Sequence, residues 1–319
     1  MTLPHPHGPR PTRHKSFTPA VALERLGLRG DRLAFGLAGI GGAWGPVDEG
    51  VARETLRQSI EFGVGVFDVA PAYGTAEKLL GEVLAGWRGP RPVVSTKVGR
   101  IASHDGDTGR FDYSPAGLRE SLVGSLAMLG LPAVDLVFLH EPEQVPFADR
   151  ARVVDALRQL QADGLTRRLG LAGGYGAGWD GFVESESFDV VMLFRRLDAA
   201  ILDGLADDLP RLRRAGVATY GASPLHMGLL GARHEEFVRD RPRWVWPEQI
   251  EHAVRLRAIA EKHGLPLATL AHRFLFSVAE IDRVVVGART PAELTAALAD
   301  FSAGPLPAGL FDDICAVAR

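Results

Sequence analysis

VGVFDVAPAYG, residues 64–74, starts as an apolar run rich in β-formers and ends in a loop marked by Pro71 and Gly74. The run is continuous rather than alternating, the pattern of a strand buried on both faces. Asp68 closes it, and Tyr73 follows five residues later. Runs of the same kind recur along the chain: LAFGLAG (33–39), PVVSTKV (92–98), VDLVFLH (134–140), RRLGLAG (167–173), DVVMLF (189–194), GVATYGA (216–222) and RVVVGA (283–288). Between them lie amphipathic helical patterns such as 48–63, 114–130, 150–164 and 251–264, each of which closes on a glycine suited to a left-handed C-cap. Ser114 before Pro115 is an N-cap followed by a first-turn proline. About eight strand–helix units in one chain of this length predict a (β/α)8 barrel, with a doubly wound sheet as the second choice. No linker breaks the alternation, so we expect a disordered head over residues 1–17 and one barrel over 18–319, closed by a C-terminal helix in GLFDDICAVAR (309–319).

Composition narrows the function classes. Of 319 residues, 46% are apolar and 24% charged, with a net charge of −3, which is an ordinary globular balance. No Lys/Arg cluster long enough to track a phosphate backbone occurs, so neither nucleic acid nor a membrane surface is an expected partner. The single cysteine, Cys315, excludes internal disulfides and Cys-based zinc sites and fits a reducing, cytoplasmic setting. The opening MTLPHPHGPRPTRHKSF lacks the apolar stretch of about 7–15 residues that a secretory signal needs. No run approaches the roughly 20 apolar residues of a spanning helix. His5, His7 and His14 read as part of a frayed tail rather than a metal site, and SHDGDTG (103–109) reads as a polar turn.

In a barrel of this type the chemistry gathers at the C-terminal ends of the strands. Asp68 ends the second, Lys97 lies near the end of the third, His140 ends the fourth, and Tyr73 stands just past the second. Singly, an Asp after a strand is a turn former, a Tyr a core aromatic and a His a loop cap. Lys97, inside an apolar strand, is the residue that asks for a partner. Together they form an acid–base site. A phenol with an ordinary pKa of about 10 is expected to be lowered by a nearby ammonium. Lys97 is the candidate ammonium, Asp68 the carboxylate that keeps it charged, and His140 the group that orients a substrate oxygen. A phenol that protonates a carbonyl oxygen while hydride reaches its carbon makes a reductase, and the reverse makes a dehydrogenase; the hydride would come from a nicotinamide.

These segments resemble the aldo-keto reductase superfamily. FDVAPAYGTAEKLLGEVL, VVSTKVGR and LGLPAVDLVFLHEPE match its Asp/Tyr, Lys and His segments, and ALRQLQADGLTRRLGLAG the helix and strand that follow. The likeness runs from about residue 30 to 301 and is strongest to the bacterial branch of aldose, L-fucose (D-threo-aldose) and pyridoxal dehydrogenases. It implies an NAD(P)-dependent oxidoreductase with Asp68, Tyr73, Lys97 and His140 as catalytic tetrad.

For the cofactor half, the resemblance puts Gly173 and Gly174 where the family shows a Ser-Asn pair holding the carboxamide. Met192 and Arg195 fall where it shows Gln and a ring-stacking Tyr, and the Arg195 guanidinium is left with two readings, on a planar or anionic group or turned outwards. Ser223, Leu225 and Gly228 in GASPLHMGLL match its pyrophosphate loop, whose N–H groups can cradle phosphate. VVVGARTPAEL, with Gly287, Arg289 and Glu293, matches its adenosine-phosphate segment. Arg289 beside a 2′-phosphate favours NADP, NAD being the alternative, and the family's Asn four residues beyond Glu293 is Ala297 here. GAGWDG (176–181) is a weak dinucleotide fingerprint followed by a short helix and is rejected.

Trp44, Trp179, Trp244 and Trp246 fall in loops expected near the same mouth, and Trp44 is the one expected to bind substrate. HEEF and HEPE lack the second histidine of a zinc motif, so no metal is expected. Three function classes follow: an NAD(P)-dependent oxidoreductase on a small carbonyl, alcohol or sugar; a redox-neutral lyase, dehydratase or epimerase on the same tetrad; and a non-catalytic binding subunit, which fits poorly with the cost of burying a Lys/Asp pair.

Overall fold

The computed structural model describes residues 21–43, 45–101, 110–174 and 178–317. The expected head (1–17), its three histidines, Trp44 and the 103–109 segment lie outside the described residues. Eight parallel strands close into a barrel: β1 (Leu33–Gly36), β2 (Val66–Asp68), β3 (Val93–Val98), β4 (Leu136–His140), β5 (Leu169–Gly173), β6 (Val190–Phe194), β7 (Ala218–Ala222) and β8 (Arg283–Gly287). Each pairs with its neighbours in sequence, and β1 also pairs with β8, Leu33 opposite Val284. Every expected strand is present, and closure of the sheet rules out the doubly wound alternative.

Local chemistry sets the helices that cover the sheet. In the helix Pro115–Leu129, Ser114 Oγ accepts from the Gly117 N–H at 3.0 Å, and Gly130 ends the helix at φ 64°, where a side chain would be strained. Leu118, Leu122, Leu126 and Leu129 are buried on one side of it. Each such leucine contributes roughly 1.5–3 kcal/mol of transfer free energy. The helices Glu49–Glu61 and Arg150–Ala162 fall within two other expected patterns, Pro247–Lys262 starts four residues before the expected 251–264 pattern, and Ala308–Val317 is the closing helix.

The inside of the barrel is a packed second core. Ala34, Val66, Phe138, Met192, Tyr220 and Val285 belong to it, together with Leu23 and Leu28 from the segment before β1. The N-terminal end is floored by Arg283, fully buried, which donates to Tyr220 Oη at 2.5 Å, the Leu28 carbonyl at 3.0 Å and the Asp31 carbonyl at 3.1 Å. A cation in a barrel core is tolerable only with its donors satisfied in this way. That end is sealed, and the polar side chains of the opposite end mark the mouth.

Candidate active site

The pleat decides which residues face the mouth. Alternate positions of neighbouring strands point inward, and the register sets Asp68 opposite Ser95 and Lys97 opposite Phe138. Asp68, Lys97 and His140 are all buried. Lys97 Nζ donates to Asp68 Oδ2 at 2.5 Å and to the Val69 carbonyl at 3.1 Å. It lies 4.7 Å from the centroid of the Tyr73 ring. The other Asp68 oxygen, Oδ1, accepts from Ser95 Oγ at 2.8 Å, so both carboxylate oxygens are held. The His140 ring stands edge-on to Tyr73, with centroids 5.9 Å apart. The four residues singled out in the sequence are therefore one contiguous cluster.

Tyr73 is held through its backbone. Its N–H donates to the Ala70 carbonyl at 2.9 Å, and its carbonyl accepts from Ala76 at 3.1 Å. Gly41, in the loop after β1, presses on the Tyr73 carbonyl so closely that a Cβ there would overlap it. The glycine is thus required by contact rather than by its dihedral angles.

Charge states follow from burial and neighbours. Desolvation pulls the Lys97 amine down, but Asp68 and then Tyr73 outweigh it, and the net direction is upward. Lys97 is an ammonium at neutral pH. For Tyr73 the outcome differs from the sequence expectation: burial raises the phenol more than the Lys97 charge lowers it, so the net direction is up. The phenol is protonated at rest and is a proton donor, not a preformed phenolate. His140 is pushed well below its ordinary value by burial, then by the charges of Lys97 and Arg100, and is neutral. Among the described residues its buried Nδ1 has no hydrogen-bond partner. An N–H without an acceptor is costly, so the proton sits at lower cost on Nε2, from which it can be donated outward.

Several supporting residues were not singled out in the sequence. Tyr113 Oη is within hydrogen-bond distance of the His140 and Glu141 carbonyls, at 2.9 and 2.8 Å, and clamps the backbone just past β4. Glu141 sits there at φ 51°, a strained conformation for a non-glycine residue, and pairs with Arg100 at 2.6 Å. On the outer side of β3, Thr96 Oγ1 donates to the buried Glu77 at 2.6 Å. Burial raises that carboxyl, partly offset by bonds from Thr96 and Ser125. Ser95 was also passed over, although its place two residues from Lys97 on the same strand face was a signal for it; Tyr113 becomes a neighbour through the short antiparallel pair Arg100–Ile101 with Arg110–Phe111, which the apolar pattern did not show.

The residues expected to hold a cofactor all follow strand ends on the same rim, but several are otherwise engaged. Gly173 and Gly174 end β5 against the Glu143 side chain. Met192 is buried in the barrel core. Arg195, at φ 56°, turns away from the strand and donates to the Trp244 carbonyl at 2.6 Å. The N–H groups of His226, Gly228 and Leu229 are spent on turn bonds inside the 223–229 loop, and Ser223 Oγ accepts from Met227 N. The backbone N–H of Gly228 is therefore not the free donor expected of a phosphate cradle. Gly287 is exposed, and a Cβ there would meet only the Gly36 carbonyl oxygen, at 3.8 Å. Arg289 donates to the Pro46 carbonyl at 2.7 Å, and Glu293 accepts from Arg289 N at 2.7 Å while Thr290 Oγ1 caps Glu293 N at 3.2 Å. Glu293 thus caps its own helix. Trp179 is a core residue, 1% exposed with its N–H on the Pro142 carbonyl, whereas Trp246 is 66% exposed.

A sealed parallel barrel with an acid–base cluster at its C-terminal mouth defines an enzyme of the (β/α)8 class. The chain belongs to the aldo/keto reductase family, whose model matches residues 32–319. It is 28% identical to a D-threo-aldose 1-dehydrogenase of Pseudomonas sp, over 94% of this chain and 97% of that protein. It is 31% identical to an L-galactose dehydrogenase of Arabidopsis thaliana, over 83% and 82% of the two chains. In structure it is similar to an aldo-keto reductase from Bacillus halodurans in its holo form, with a TM-score of 0.76 at 22% identity, covering 91% of this chain and 93% of that one. The protein is an oxidoreductase of this family. Among the described residues no three His, Cys, Asp or Glu side chains are placed to hold a metal ion, and no helix is long and apolar enough to cross a membrane.

Proposed function

We propose that the protein interconverts a carbonyl (an aldehyde, a ketone, or a sugar aldose and its lactone) and the corresponding alcohol, with Tyr73 as general acid and base. The observation that carries this reading is the buried Lys97–Asp68 pair, 2.5 Å apart, with Lys97 against the Tyr73 ring. A buried ion pair is weak evidence for stability alone and is more readily explained by chemistry.

A nicotinamide dinucleotide supplies or receives the hydride. The mouth suits such a ligand: it offers the Ser223 hydroxyl in the loop after β7, an arginine, Arg289, beyond β8, and an exposed glycine, Gly287, at the end of β8. In the reducing direction a substrate carbonyl oxygen accepts from Tyr73 Oη and from the neutral His140 imidazole. Tyr73 gives up its proton to that oxygen, and the phenolate left behind is stabilised by the Lys97 ammonium, which Asp68 holds charged. In the other direction the phenolate takes the alcohol proton. Because Tyr73 rests protonated, Lys97 acts on the product side of the proton transfer, and a group shaped for the transition state is expected to do so.

The dinucleotide in this reading is NADP, on Arg289. NAD is the second reading, supported by the engagement of the Arg289 guanidinium with the Pro46 carbonyl and by the negative charge that Glu293 would bring to the same segment. The substrate is a small molecule, and the one cysteine fits a cytoplasmic setting. A redox-neutral reaction on the same tetrad is favoured by one observation, the engagement of Arg195 with Trp244 instead of a planar ligand. Titration with NADPH and NADH, followed by nicotinamide fluorescence and by absorbance with an aldehyde panel, separates the two. Binding with net consumption of the reduced form is expected; binding of neither, or turnover without consumption, would sink the oxidoreductase reading.

A further inference from the structure

Gly173 and Gly174 bring no side chains to the mouth, yet the space before them is filled. A Cβ built on Gly173 would stand 2.7 Å from Glu143 Oε2 and 2.9 Å from both Glu141 Cα and Pro142 Cδ. One built on Gly174 would stand 3.1 Å from Glu143 Oε1, and the Gly174 N–H donates to that same oxygen at 3.1 Å. The two glycines are thus the receptacle for a carboxylate delivered by the neighbouring loop.

That loop is built, not loose. Glu143 lies three residues past His140, and β4 and β5 are paired with His140 opposite Ala172. Pro142 is buried, and its carbonyl accepts from Trp179 Nε1 at 3.0 Å and from Val145 N at 3.1 Å. Glu141, just before it, is fixed by Arg100 and Tyr113. Glu143 itself is exposed, and among the described residues no Lys, Arg or His forms an ion pair with it. A negative charge with no ion-pair partner among the described residues is therefore held at the end of β5, next to the strand that carries His140.

Its position relative to the chemistry gives it a role. A substrate oxygen bonded by Tyr73 and His140 is approached from the β2–β4 side of the mouth. The group that exchanges hydride with the adjacent carbon then belongs on the remaining side, over the ends of β5 to β7. Resting on the dinucleotide reading above, we propose that Glu143 is a specificity-determining binding residue. Its carboxylate accepts the N–H of the nicotinamide carboxamide and offsets the positive charge of the oxidised ring. The reduced ring is neutral, so the charge favours the oxidised form, whereas the hydrogen bond serves both. The chain would accordingly be poised toward alcohol oxidation.

The test is equilibrium binding of the oxidised and reduced cofactor (both NADP and NAD pairs) to the full chain, by calorimetry and nicotinamide or tryptophan fluorescence, for wild type, Glu143→Gln and Glu143→Ala. Glu143 is exposed, so circular dichroism should show both variants folded. Glu143→Gln keeps an acceptor and loses the charge: the oxidised form should weaken about tenfold, the value of roughly 1.4 kcal/mol, with the reduced form within about twofold. The loss should shrink at high salt, since an exposed charge is screened. Glu143→Ala should weaken both forms. If Glu143→Gln binds both forms as wild type does, or weakens both equally, the proposal is overturned while the dinucleotide reading stands. If wild type binds neither form, the dinucleotide reading falls and takes the proposal with it.

Discussion

Replacing Asp68 by Asn removes one charge of a pair whose members are 2% and 1% exposed, and it does so almost without changing shape. At an effective dielectric of about 20, unit charges 2.5 Å apart attract by about 7 kcal/mol. Much of that is offset, because Asp68 no longer has to be desolvated and Asn still offers an oxygen to Lys97 or Ser95. The remainder is the cost of a buried ammonium without a counter-charge, about 3 kcal/mol, the low end for breaking such a pair. Urea unfolding followed by circular dichroism should therefore show Asp68→Asn less stable than wild type by about 3 kcal/mol, with an unchanged m-value. The double variant Asp68→Asn/Lys97→Met should recover part of that loss, since the stranded cation is gone. Both single and double variants should turn over at least about a hundredfold more slowly, because the phenolate has lost its stabiliser. The reasoning is refuted if Asp68→Asn unfolds within about 0.5 kcal/mol of wild type, or if the double variant is less stable than the single one by the full cost of a second buried change.

Two further outcomes probe the surroundings. Gly41→Ala forces a Cβ into the Tyr73 carbonyl, so the loop must shift; kcat should fall by tenfold to a hundredfold in steady-state assays while the far-ultraviolet spectrum is retained. Glu77 has its folded-state pKa raised by burial, so its stabilising share is complete below the unfolded value of about 4.3 and is lost as pH rises through the folded one. Glu77→Gln keeps an acceptor for Thr96 and cannot ionise. It should be more stable than wild type at pH 7.5 and equal to it near pH 4, as read from urea midpoints; a gain at pH 4 instead would contradict the sign.

What the amino-acid sequence disclosed divides along a physical line. The eight strands were legible because burial on both faces demands uninterrupted Val, Ile, Leu and Phe, and RVVVGA or DVVMLF satisfies that without reference to anything distant. Asp68, Lys97 and His140 were legible because strand ends fix direction in a parallel barrel. Contacts between loops were not. Gly173-Gly174 read as a loss of binding groups, and only the folded chain shows Glu143, some thirty residues earlier, filling their space. Arg195 and Glu293 each found a partner nearer than any ligand, Trp244 and Arg289. The rise of the Tyr73 pKa was missed for another reason: desolvation depends on how many atoms surround the hydroxyl, a quantity a motif does not carry, and here it exceeds the pull of Lys97.

The central claim is that a phenol resting protonated beside a buried ammonium donates the proton in carbonyl reduction. Tyr73→Phe deletes that one oxygen and leaves the ring that packs against Lys97 and His140. Single-turnover reduction of an aldehyde, with cofactor affinity measured on the same sample, should show the rate down by about 10²–10⁴ and the affinity unchanged. Reduction by Tyr73→Phe at a rate close to wild type would contradict it.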